Sequence, residues 1–148
     1  MNFICKPFEQ LSTMELFEIY QARTAVFVVE QNCAYQEVDY DDLKSYHVFA
    51  RDEQGGIIAY ARLIPSENGN ARLGRVLVSE KYRHQGIAKE LVTSAIIQAK
   101  KLFPMMQNLN IQAQYYLRDF YGSFDAQIVS EPYLEDNIKH VDMVIGVG

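Results

Sequence analysis

The stretch Arg75-Val76-Leu77-Val78-Ser79-Glu80-Lys81-Tyr82-Arg83-His84-Gln85-Gly86-Ile87-Ala88-Lys89-Glu90-Leu91 decides how this chain is read. It begins as the apolar, β-branched end of a strand. Further on, Ala88, Leu91, Val92, Ala95, Ala99 and Leu102 fall on one stripe, which predicts an amphipathic helix over Gly86 to Phe103 that Pro104 stops. Between strand and helix lies a basic turn with Gly86 where the helix starts. The amides of Gln85, Gly86, Ile87 and Ala88 lack intrahelical acceptors there, the helix dipole favours negative charge, and a missing side chain lets a ligand approach. Arg83 adds positive charge, so the turn suits a diphosphate. The plainer reading is a strand-to-helix turn with a basic surface. No Gly-Lys-Ser/Thr follows, so this is not a P-loop.

Working outward, Ala71 to Val78 reads as a strand, preceded by the turn residues Pro65 to Asn70. His47 to Arg51 and Ile57 to Ile64 flank Asp52-Glu53-Gln54-Gly55-Gly56, a strand-turn-strand signal. With a strand at Asn2 to Lys6, these form an antiparallel meander. Ser12-Thr13-Met14-Glu15 is a capping box, and the apolar spacing after it predicts a helix from about residue 12 into the late twenties. Glu30 to Tyr46 breaks that pattern and reads as a long loop or a short irregular helix. Towards the C-terminus, Leu109 to Gln114 reads as a strand, Tyr115 to about Phe124 as a helix, and Gln127 to Val129 and His140 to Val147 as closing strands. The order β, α, meander, α, β, α, β predicts an α/β (α+β mixed) fold, with helices on the faces of a mixed sheet.

The chain has 148 residues, 49% hydrophobic and 22% charged, enough for one core and one domain spanning residues 1–148. No apolar run approaches the roughly 18 residues of a membrane span, and Lys6-Pro7-Phe8-Glu9 gives the N-terminus no signal-peptide core. A cytoplasmic protein is expected. Fourteen basic and nineteen acidic residues give a net charge of −5, which argues against nucleic-acid or anionic-membrane partners and favours a cationic one. Cys5 and Cys33 form no Cys-x-x-Cys pair, and His47, His84 and His140 are scattered, so no metal is expected.

Arg83-x-x-Gly86-x-Ala88 after a strand resembles the acyl-coenzyme A pyrophosphate motif of the GNAT (Gcn5-related N-acetyltransferase) superfamily. More narrowly, Arg23, Val26-Phe27-Val28-Val29-Glu30-Gln31, Cys33, Tyr35, Asp39, Asp42 and His47 resemble the N-terminal signature of its ElaA-like branch. Ala59-Tyr60-Ala61-Arg62-Leu63, Gly74-Arg75-Val76, Ala113-Gln114, Phe120-Tyr121 and Tyr133 to Ile138 with His140 continue the likeness, over about residues 12 to 145. It implies the GNAT acyl-CoA N-acyltransferase fold, with acetyl-CoA as co-substrate and direct transfer to an amine. The backbone of Val76, Leu77 and Val78 would hold the pantetheine arm, and Arg83, His84, Gln85, Gly86, Ile87 and Ala88 the pyrophosphate, with Gln114 also at the cofactor. Tyr121 matches the tyrosine that protonates the departing thiolate; the plainer reading is an ordinary core aromatic, since aromatics at helical spacing are usually packing. A backbone N–H near Val76 would polarise the thioester carbonyl. Where the family usually has Gly-Phe after that tyrosine, this chain has Asp125-Ala126.

Many family members carry a glutamate on the strand equivalent to Ala71 to Val78, and this strand has no carboxylate. Glu30, His47 and His140, or a water chain between them, are the candidates for general base; each also has a structural reading. Glu37, Asp39, Asp41 and Asp42 form a run that is ordinarily solvated surface. Beside a coenzyme A site, Asp39 and Asp42 could instead hold an ammonium substrate, with Tyr35 or Tyr40 adding cation–π contact. The acceptor is expected to be a small-molecule or peptide amine, and a homodimer is compatible with the sequence. Arg23, Phe27, Glu37-x-Asp39-x-x-Asp42 and Arg62-Leu63-Ile64-Pro65 also resemble acyl-homoserine-lactone synthases, the enzymatic alternative. A coenzyme A-binding sensor without catalysis is the other.

Overall fold

A computed structural model describes residues 1–147. Strand β1 (Ile4–Pro7) leads through a 3₁₀ turn to α1 (Thr13–Arg23). The Ser12 hydroxyl accepts from the Glu15 amide at 3.0 Å, and the Glu15 carboxylate accepts from the Ser12 amide at 2.8 Å, so the capping box starts the helix as expected. Thr24–Glu30 continues it with π-helical bonding. β-branched Thr24, Val26, Val28 and Val29 crowd a tight α-turn, which fits this widening. The expected loop follows and holds the short helix α2 (Asp41–Lys44).

Strands β2 (Tyr46–Arg51), β3 (Ile57–Pro65) and β4 (Ala71–Val78) then pair antiparallel, with β1 on the outer edge of β2. The expected meander is present. Helix α3 (Ile87–Leu102) crosses one face and buries Ile87, Leu91, Val92, Ala95 and Ala99. Leu91 and Val92 are fully buried, and each such side chain contributes about 1.5–3 kcal/mol. Strand β5 (Asn108–Gln114) returns parallel to β4, and a 3₁₀ turn at Tyr115–Leu117 precedes α4 (Arg118–Gly122), so the helix expected there is shorter. Strands β6 (Gln127–Ile128), β7 (Tyr133–Glu135) and β8 (Ile138–Gly146) close the sheet. The spatial order is β1-β2-β3-β4-β5-β8-β6, with β7 paired to β8. Strand β7 was not foreseen: three residues show no readable alternation.

Asp125 takes the left-handed position after α4, with φ 64°, and buried Ala126 donates its amide to the Tyr121 carbonyl at 3.3 Å. Aspartate tolerates that conformation better than most residues. The turn therefore closes without the usual glycine.

The feature that positions everything below is the parting of β4 from β5. Their parallel pairing covers only Ala71 to Leu73 against Leu109 to Ile111. Beyond it, the edge of β4 from Gly74 to Val78 that faces β5 has no strand partner, while β5 stays paired to β8 through Gln114. Unpaired backbone groups invite an added strand or ligand.

Candidate active site

At the mouth of this opening β4 carries a bulge. Tyr60 opposes Leu77 and Arg62 opposes Gly74, so β4 has one residue more than β3 in the interval, and Arg75 sits at φ 52°. The bulge switches the side-chain alternation: Leu73 packs in the α3-side core, and Leu77 in the cluster beneath α1. It also turns the backbone at Arg75 and Val76 relative to the rest of the ladder.

The basic turn stands at the far end of that edge. The Arg83 guanidinium donates to the Val78 carbonyl at 2.9 Å and forms a two-bond pair with Glu30 at 2.5 and 2.7 Å. That pair holds the Glu30 carboxyl below its ordinary range. His84 and Gly86 both have positive φ, 64° and 79°. A Cβ on Gly86 would meet nothing within 4 Å, so the space before α3 is open. Ile87 and Ala88 begin the helix there, and their amides have no intrahelical acceptor.

Tyr121, on α4, has a ring only 4% exposed, packed edge-on to Phe120 at 5.1 Å. Among the described residues the one fully buried polar side-chain atom without a partner is Arg62 Nε. The Tyr121 hydroxyl has no hydrogen-bond partner among the described residues and is not one of the fully buried unpaired atoms, so it keeps contact with the solvent-accessible surface. Burial pushes its pKa up and keeps the phenol protonated. Gln114, at the end of β5, donates to the Gln31 side chain at 3.3 Å and ties β5 to the end of the π-helical segment.

The acidic segment is corrected by the structure. Asp42 is 1% exposed and accepts from Arg23 at 2.7 and 3.1 Å and from Arg62 at 3.0 Å. Asp39 accepts from Arg62 at 2.7 and 3.2 Å and from Arg75 at 3.4 Å. Glu37 binds Arg23 at 2.7 Å and Arg75 as well. Three arginines thus neutralise three carboxylates. Burial raises the Asp42 carboxyl, but Arg23 and Arg62 outweigh it and leave its pKa lowered; Asp39 is lowered in the same way by Arg62 and Arg75. Asp42 has no free face for an ammonium group, and Asp39, though partly exposed, already gives both oxygens to Arg62. They are the structural partners of Arg23 and Arg62.

His47 is corrected too. It is fully buried, with Nε2 3.0 Å from the Asp42 carbonyl and Nδ1 2.6 Å from the Tyr60 hydroxyl. A carbonyl only accepts, so Nε2 carries the proton and Nδ1 accepts from Tyr60, whose oxygen accepts from Arg23 at 3.4 Å. Burial lowers the imidazole pKa and keeps it neutral. A ring with both nitrogens used cannot take a proton from substrate.

His140 is different. It is half-buried, level with Gln114 across the β5–β8 ladder, and stacks on Tyr133 at 6.0 Å. Its Nδ1 lies 2.7 Å from the Ile138 carbonyl and must donate to it, so in the neutral ring Nε2 is the acceptor. Sequence reasoning passed over Tyr133 and Asp142 as a pair, although their side chains meet at 2.5 Å. The alternation of β8 carried that signal: Val141 and Met143 are core, so His140 and Asp142 share the other face.

Residues 13–147 match the family model described as Acetyltransferase (GNAT) domain, and the chain belongs to that family. The UPF0039 protein C11D3.02c of Schizosaccharomyces pombe is 41% identical over 143 residues, covering 97% of this chain and 95% of that one. Within the family the chain falls in the ElaA-like branch: the crystal structure of Escherichia coli ElaA superimposes with a TM-score of 0.91 at 34% identity, over 97% of this chain and 99% of that one. An acyl-CoA N-acyltransferase from Pseudomonas aeruginosa superimposes with a TM-score of 0.90 at 36% identity, with the same coverages. A CoA-dependent acyl-homoserine lactone synthase, MesI, has a TM-score of 0.73 at 12% identity, a likeness of fold alone. Family membership supports acyl-CoA-dependent acyl transfer and does not favour the synthase alternative. No helix among the described residues is long and apolar enough to cross a membrane.

Proposed function

We propose that residues 1–148 act as one cytoplasmic acetyltransferase domain that moves an acetyl group from acetyl-CoA to a primary amine of a small molecule or peptide within a ternary complex. The observation that carries this reading is the unpartnered edge of β4, running from the bulge at Arg75 to the open turn at Gly86. Val76, Leu77 and Val78 offer that edge to an amide-bearing arm, as an added strand would use it. Arg83 to Ala88 cradle the diphosphate; Glu30, the present partner of Arg83, must give up that pair or share it with the phosphates.

The bulge aims a backbone N–H near Val76 at the thioester carbonyl, where charge develops as the amine nitrogen attacks. The carbon–sulfur bond breaks, and the sulfur receives the proton of the Tyr121 hydroxyl. The proton leaving the amine passes, directly or through water, to His140 Nε2. Glu30 is the weaker candidate for that role because Arg83 already engages it. The products are the amide and the free thiol, and no protein nucleophile is needed.

Gly86 supplies the test. Aspartate and asparagine both tolerate its positive φ, and only aspartate adds a charge facing phosphate. Gly86→Asp weakens acetyl-CoA binding at least about tenfold, roughly 1.4 kcal/mol, and Gly86→Asn weakens it less. Calorimetry on folded variants decides, and equal affinity for the wild type and Gly86→Asp removes the phosphates from this turn. Thiol release across an amine panel separates an enzyme from a coenzyme A sensor, which binds acetyl-CoA and releases none.

A further inference from the structure

Gly74, Gln112 and Asp142 form a row across the sheet. Leu73 pairs with Ile111, which brings Gly74 level with Gln112 where β4 and β5 part, and Gln112 pairs with Asp142. Leu73, Ile111, Ala113, Val141 and Met143 all point into the α3-side core, so alternation puts the row on the opposite face. Asp142 stands two strands from the mouth, about 10 Å at ordinary strand spacing. The row is open: Gln112 is exposed, and a Cβ on Gly74 would meet nothing within 4 Å.

The surrounding loop frames this face without filling it. Gln31 meets Gln114, and Cys33 meets the Asp136 carbonyl at 3.5 Å, on one side of the row along the strands. Arg72 meets Asp41 at 3.1 Å on the other side.

Asp142 also differs from the carboxylates of the acidic segment. Glu37, Asp39, Asp41 and Asp42 each hold an arginine. Asp142 is half-buried, has no lysine, arginine or histidine at ion-pair distance among the described residues, and uses one oxygen to accept from the Tyr133 hydroxyl. The other oxygen has no hydrogen-bond partner among the described residues. A partly desolvated carboxylate without a counter-charge gains most from an incoming cation.

We propose that Asp142 recognises an ammonium group of the acceptor other than the amine that reacts, with Gln112 beside it and Tyr133 fixing the orientation of the carboxylate. The assignment rests on the acyl-transfer reading for its purpose, since the row starts at Gly74, two residues before the Val76 amide to which that reading assigns the reacting carbonyl. It gives the acceptor a cationic amine and places recognition on β8, away from the acidic run.

The test is binding to the protein saturated with coenzyme A, followed by calorimetry with n-butylamine, 1,4-diaminobutane and triglycine as probes. For a probe that binds the wild type, Asp142→Asn weakens binding at least about tenfold, and Tyr133→Phe, which keeps the carboxylate, changes it less than about threefold. Gln112→Glu, on an exposed side chain, adds charge to the row and tightens the same probe at least about threefold, which keeps the proposal testable if Asp142→Asn fails to fold. Equal binding by wild type and Asp142→Asn, no effect of Gln112→Glu, or no binding of any probe to the wild type overturns the assignment. Amine binding without thiol release from acetyl-CoA would instead sink the acyl-transfer reading and leave this one standing.

Discussion

Replacing Tyr121 with phenylalanine lowers kcat roughly 10²–10⁴-fold and leaves acetyl-CoA affinity unchanged, the range expected when one positioned acid is lost. The reason lies in the packing of α4. The ring is anchored in the core against Phe120 while the hydroxyl has no protein partner, so phenylalanine keeps the packing and deletes only the donor. Burial raises the phenol pKa, so the proton is present across the neutral range and the sulfur meets a donor throughout. Steady-state kinetics with thiol detection, beside calorimetry, separate the two readings of this residue. A variant with wild-type kcat makes Tyr121 an ordinary core aromatic.

Asp42→Ala is the second large effect, and it is an effect on stability. Removing a carboxylate shared by two arginines, one fully buried and one 3% exposed, leaves the cluster one positive charge in excess, since only Glu37 and Asp39 remain against three arginines, and costs about 3–5 kcal/mol. For a chain of this size that lowers Tm by about 6–20 °C. The native pKa of Asp42 is depressed, so its contribution is fully present above the unfolded value of about 3.9 and is lost as pH falls through the lower folded value. Thermal unfolding followed from neutral pH towards pH 3 shows this: the wild type loses stability on the acid side, and the variant loses less over the same interval. If Asp39 and Asp42 were substrate carboxylates instead, Tm would stay and only the amine KM would move.

The acidic run shows where sequence reasoning reaches its limit. Four carboxylates within six residues read as exposed negative charge, because their partners Arg23, Arg62, Arg72 and Arg75 lie on α1, β3 and β4 and come together only in the folded chain. For the same reason the sequence does not show that His47 is spent: its partner Tyr60, thirteen residues away, reaches Nδ1 only across the β2–β3 pair. Local signals fared better where one segment contains all the physics. The Ser12–Glu15 box, the stripe of α3 and the glycine opening that helix are short-range, and each is found where expected. The π-helical bonding of Thr24–Glu30 and the three residues of β7 left no usable period. The site is intermediate: the cradle was legible as a motif, whereas the bulge at Arg75 and the row ending at Asp142 depend on strand register.

Initial-velocity kinetics with acetyl-CoA and the best amine of the panel test the central claim most directly. Transfer within a ternary complex, with no nucleophile of the protein involved, predicts intersecting double-reciprocal lines, and isotopically labelled acetyl groups found on the amine and never on the protein. Parallel lines with label retained on the chain, or no amine-dependent thiol release, would contradict it.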